Sequence, residues 1–66
     1  MITIFGKDTC PYTMAAVDAY RAKGAEYINV KKDAAALARM LELTNGRRVV
    51  PVIVEDGAVT IGYGGT

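Results

Sequence analysis

Strand-forming and helix-forming runs alternate along this chain in the order β-α-β-α-β-β, and few architectures accommodate that order in 66 residues. Ile2-Thr3-Ile4-Phe5 reads as a short strand and Gly6-Lys7-Asp8-Thr9 as a loop. Residues 11–23 carry Met14, Val17 and Tyr20 at helical spacing and stop at Gly24. Glu26-Tyr27-Ile28-Asn29-Val30 is the second strand. A helical crossover is the ordinary link between parallel neighbours, so it is expected to pair in parallel with the first. Lys31-Lys32 reads as a turn, and Asp33 as the N-cap of a helix over 34–44. Leu37, Met40, Leu41 and Thr44 mark one face of that helix, and Asn45-Gly46 supplies a left-handed stop. Val49-Val50-Pro51 leads into Val52-Ile53-Val54, which lacks polar alternation and is expected to be buried on both faces. Glu55-Asp56-Gly57 then turns the chain into a return strand, Ala58–Ile61.

A single domain over residues 1–66 follows, with a thioredoxin-like α/β core and a four-stranded mixed sheet. Eight basic and seven acidic residues give a net charge of +1, so nothing electrostatic favours nucleic acid or an anionic membrane. No apolar run approaches the roughly 18 residues needed to span a bilayer, and the start lacks the pattern of a signal peptide. There is no histidine and only one cysteine, so an internal disulfide, a cysteine–histidine metal cluster and a cysteine–histidine nucleophile pair are all excluded. An unpaired thiol without an export signal fits a reducing cytoplasm.

That cysteine is the most informative residue chemically. Pro11 suits the first helical position, which makes Cys10 the N-cap. A sulfur there faces unpaired N–H groups and the positive end of the helix dipole, and both favour the thiolate. Lys7 adds a positive charge three residues upstream. A lone cysteine is often merely a small buried hydrophobe. The following proline and the strand–loop–helix setting favour a reactive one.

With Cys10-Pro11-Tyr12-Thr13 opening a helix after a strand, Val50-Pro51 about forty residues later, a hairpin and Gly64-Gly65, the chain resembles the glutaredoxins from Met1 to about Gly65. The resemblance implies a small thiol enzyme with glutathione as cosubstrate and no tightly bound cofactor. It implies that Cys10 is the nucleophile and that Lys7, Tyr12, Val50, Pro51, Gly64, Gly65 and Thr66 line the glutathione site. It also implies a cis peptide bond before Pro51. Tyr63 stands where another glycine is expected, so the match at this end is loose. Arg47 and Arg48 are further candidates for a carboxylate, because arginine donors pair well with that group.

Two departures shape the expected activity. Thr13 replaces the second cysteine of dithiol relatives, which implies a monothiol cycle acting on glutathionylated proteins or small disulfides. Thr13 is expected to point its N–H and hydroxyl at the Cys10 sulfur. The second departure is the absence of the family's final helix. Both helices are expected on one side of the sheet, which would leave the other side of Phe5, Val30 and the 52–54 strand uncovered and able to pair with a second copy. The competing reading within the family is a carrier of a [2Fe–2S] cluster held with glutathione thiols. Pro11-Tyr12 argues against it, since that branch carries Gly-Phe-Ser after the cysteine. Outside the family, an interaction module with an incidental thiol predicts an ordinary thiol pKa near ~8.5 and no glutathione binding.

Overall fold

The first strand, β1 (Ile2–Gly6), is central to the molecule. In the computed structural model, which describes residues 1–64, it pairs on one side in parallel with β2 (Glu26–Asn29), Ile4 opposite Tyr27. On its other side it pairs antiparallel with β3 (Val52–Glu55), Phe5 opposite Val52. β4 (Ala58–Ile61) closes the order β2-β1-β3-β4 as an antiparallel edge. Asp56 and Gly57 join β3 to β4 with φ of 49° and 86°, the left-handed pair that a two-residue hairpin needs. The predicted element order and four-stranded mixed sheet are both present.

α1 (Pro11–Tyr20) is shorter than the predicted 11–23, and its last turn tightens into a 3-10 segment, Arg21–Lys23, before Gly24 at φ 75°. α2 (Ala34–Leu43) is capped by Asp33, whose carboxylate accepts the Ala36 N–H at 3.1 Å. Thr44 is its C-cap, and the buried Thr44 hydroxyl donates to the Arg47 carbonyl at 2.7 Å. The third strand starts at Val52, directly after a cis Val50–Pro51 peptide bond that the family resemblance implies. Val52 and Ile53 are almost inaccessible, as their unbroken apolar run predicts.

The two helices do not share one side of the sheet, which corrects the sequence expectation. Ala16 of α1 packs with Ile2, Ile4 and Ile53, whereas Ala36 and Met40 of α2 pack with Phe5, Val30 and Val52. The right-handed crossover rule links parallel strands. It governs α1 between β1 and β2, but α2 leads into a strand that runs antiparallel to both and is free to cross the opposite face. Phe5, Val30 and Val52 are therefore buried beneath α2, and the uncovered face expected to carry self-association is not there. Among the described residues no helix is long and apolar enough to cross a membrane.

Candidate functional site

Cys10 is where the sequence puts it, at the N-cap of α1 with extended backbone (φ −94°, ψ 115°) and Pro11 at the first helical position. It is half-buried and unbridged. Its N–H bonds the Lys7 carbonyl at 3.2 Å, closing the loop from β1 so that Lys7 and the sulfur stand on neighbouring ground. Burial pushes the thiol pKa up. The Thr13 hydroxyl, the N–H groups of Thr13 and Tyr12 and the Lys7 charge outweigh that penalty, and the pKa lies below its ordinary value. With no histidine in the chain, helix-end donors supply most of the activation, as the residue order implies.

Thr13 is wholly buried, and its hydroxyl has no hydrogen-bond partner in the resting structure. A Cys10 thiolate is the acceptor this hydroxyl lacks, and the hydroxyl lowers the thiol pKa. Gly6 sets its place. A Cβ on Gly6 would lie 2.3 Å from Thr13 Cγ2 and 2.7 Å from Oγ1. The end of β1 thus approaches the first turn of α1 more closely than any other residue would allow. The sequence places Gly6 in the loop, whereas it ends β1 and shapes the site. Its signal was a glycine ending a strand pattern just before the Cys-Pro helix start, where close backbone approach is a standing possibility.

Beside the thiol loop, on the α2 side of the sheet, lies a groove of about 530 Å³. Its apolar wall includes Val30, Leu37, Met40 and Val50. Lys7, Lys31, Lys32 and Arg48 are the charged residues that line it, and no acidic side chain does. Lys7 and Val50 are residues that the sequence assigns to the site. For Lys31 and Lys32 the sequence indicates only a turn, although they follow a parallel strand at its carboxyl end, the usual place for sites in open α/β sheets. Arg48 reaches the groove, and Arg47 does not line it. Tyr12 stands outside the lining, 42% exposed, on the first turn of α1. Pro51 is buried behind Val50 and also outside the lining. Gly64 is exposed at φ 70°, and Gly65 and Thr66 lie outside the described residues. No cluster of three or more cysteine, aspartate or glutamate side chains able to hold a metal ion occurs among the described residues.

Known proteins give this arrangement a family. The family model described as glutaredoxin matches residues 2–59. Among solved structures, the crystal structure of a glutaredoxin from Archaeoglobus fulgidus superimposes with a TM-score of 0.81 at 21% identity. The alignment covers 96% of this chain and 75% of that one. At that identity the likeness is one of fold. No curated protein matches the sequence.

Proposed function

The chain belongs to the glutaredoxin family of thiol–disulfide oxidoreductases, and from that premise we propose that it reduces glutathione mixed disulfides by a monothiol cycle centred on Cys10. The observation that carries this reading is the single thiol at the start of α1, its pKa lowered, next to a groove whose charged groups are all cationic. Glutathione carries two carboxylates and one ammonium, so such a groove attracts it, and the apolar wall accepts the methylenes of the tripeptide. Lys7 and Arg48 suit the carboxylates, Val50 and Pro51 form the platform, and Tyr12 flanks the thiol on its solvent side. Gly64, Gly65 and Thr66 complete the γ-glutamyl end in this reading.

The chemistry is two exchanges. The Cys10 thiolate attacks the glutathione sulfur of R–S–S–G, the R–S bond breaks, and the departing thiolate takes a proton from water to become R–SH. Cys10 is then joined to glutathione. The thiolate of a second glutathione attacks the glutathione sulfur of that adduct, forming oxidised glutathione and returning Cys10 to its thiolate. The sum is R–S–S–G plus one glutathione giving R–SH plus glutathione disulfide. Thr13 holds the thiolate in both the attacking and the leaving state. With Thr13 where a second thiol would stand, Cys10 has no internal partner, and the cycle runs through glutathione alone.

The test is turnover of a glutathione mixed disulfide in excess glutathione by the wild type and by Cys10→Ser. Turnover in the wild type that vanishes in the variant supports the cycle. A wild type with a free thiol and no turnover would overturn it.

A further inference from the structure

Asp8 and Tyr27 are joined by a side-chain hydrogen bond at the edge of the thiol loop. The Tyr27 hydroxyl donates to Asp8 Oδ1 at 2.7 Å, linking β2 to the loop that carries the thiol. Asp8 is exposed at the crest of that loop, two residues before Cys10 and within the turn closed by the Cys10 N–H on the Lys7 carbonyl. Tyr27 sits opposite Ile4 in the β1–β2 register, its ring packed on the cluster of Ile2, Ile4 and Ile53. One end of the bond is therefore rigid and the other lies on a short loop. The groups that act on the sulfur are Lys7 from the loop and, from α1, the N–H groups of Tyr12 and Thr13 with the Thr13 hydroxyl. Asp8, the acidic side chain of the same loop, is not among them while the Tyr27 hydroxyl of β2 holds it.

A carboxylate free to rotate two residues from a thiolate opposes its formation, since like charges a few ångströms apart disfavour ionisation. The phenol is well suited to prevent this. It is a neutral donor, and burial together with Asp8 pushes its pKa far above the physiological range, so it keeps its proton. The Cys10 charge acts on the phenol in the same direction, which places Tyr27 within electrostatic reach of the sulfur.

We propose that Tyr27 is a positioning residue for Cys10, clamping the Asp8 carboxylate onto β2 so that its charge is kept off the thiolate. The inference rests on Cys10 being the nucleophile, but its test reads the thiolate directly and not glutathione turnover. The two readings can therefore fail separately.

The experiment is the pH profile of Cys10 alkylation by iodoacetamide, a neutral reagent, in the intact chain. Tyr27→Phe is expected to move the midpoint up and slow alkylation at pH 7 by roughly three- to tenfold. Asp8→Asn in the Tyr27→Phe background is expected to restore the wild-type rate to within about twofold. Asp8→Ala, which breaks the bond from the other side and removes the charge, is expected to be no slower than wild type. A Tyr27→Phe profile that matches wild type would overturn the proposal. So would a double variant as slow as Tyr27→Phe, or a slow Asp8→Ala, because either outcome makes the bond a mechanical tether of the loop.

Discussion

Thr13 is a residue whose stabilities in the folded chain and in the reaction pull apart. Its hydroxyl is fully buried without a hydrogen-bond partner, and the charge it lowers the cost of forming is the Cys10 thiolate. A buried hydroxyl without a partner costs about 1–3 kcal/mol, so Thr13→Val, which keeps the shape and deletes the hydroxyl, should leave unfolding free energy unchanged or raise it by about 1 kcal/mol. The same change removes a donor from the thiolate, and alkylation profiles should show a higher Cys10 pKa. An unchanged profile would leave the hydroxyl without a role. The lowered pKa also fixes a sign for stability. Between the folded and unfolded pKa values the native state binds fewer protons than the unfolded chain, so folding is favoured as pH rises. The advantage of wild type over Cys10→Ser should therefore be full above the ordinary thiol pKa of ~8.5 and fade as pH falls through the lowered folded value. Urea titrations of both proteins across that window measure it. Cys10 and Thr13 were legible in the sequence because a proline after a cysteine defines a helix start, and the third helical position follows by counting. The isolation of the Thr13 hydroxyl was not legible, because it depends on what lies across from it.

What lies across from it is β1, and the contact between Gly6 and Thr13 is the point where two elements meet to form the site. Gly6→Ala would put a methyl group 2.3 Å from Thr13 Cγ2 and force the helix start or the Thr13 side chain to move. We expect a loss of about 1–3 kcal/mol in denaturant unfolding and slower alkylation of Cys10, the second because the donor is displaced with the side chain. An Ala variant with wild-type stability and reactivity would show that the contact relaxes without consequence. The same contact sets the seam of α1. The spacing of Met14, Val17 and Tyr20 predicts the helix, and Val17 and Tyr20 do pack against the core, but the fully buried positions are Thr13 and Ala16. Periodicity locates a helix, but size misleads about its seam where a glycine lets backbones approach. α2 packs in one cluster with the larger side chain of Phe5, and there Met40 is both apolar and buried, as its spacing indicates. The element order, the parallel β1–β2 pair and the β3–β4 hairpin were readable from alternation and turn chemistry, whereas the antiparallel place of β3 beside β1 was not. The side of the sheet taken by α2 was not, since no handedness rule binds a helix that joins antiparallel strands.

At the scale of the whole molecule the net charge of +1 conceals a strongly one-sided arrangement. Of eight basic residues, four line one groove, brought there by three separate connections: Lys7 after β1, Lys31 and Lys32 after β2, and Arg48 before β3. Composition averages over such a patch, and only the fold collects it. If the groove binds an anionic thiol peptide, its charges act on binding and not on bond exchange. Exposed charge contacts contribute about 0.2–1 kcal/mol each, so Lys32→Gln with Arg48→Gln should raise the KM for a glutathione mixed disulfide by roughly two- to thirtyfold and leave kcat near wild type. The wild-type KM should also climb between 20 and 200 mM salt, as screening shortens to about a Debye length of 10 Å or less, and the double variant should climb less steeply. Equal salt slopes in the two proteins would mean that the groove charges do not meet the substrate. A fall in kcat without a change in KM would place them in the exchange step, through the potential they set at Cys10.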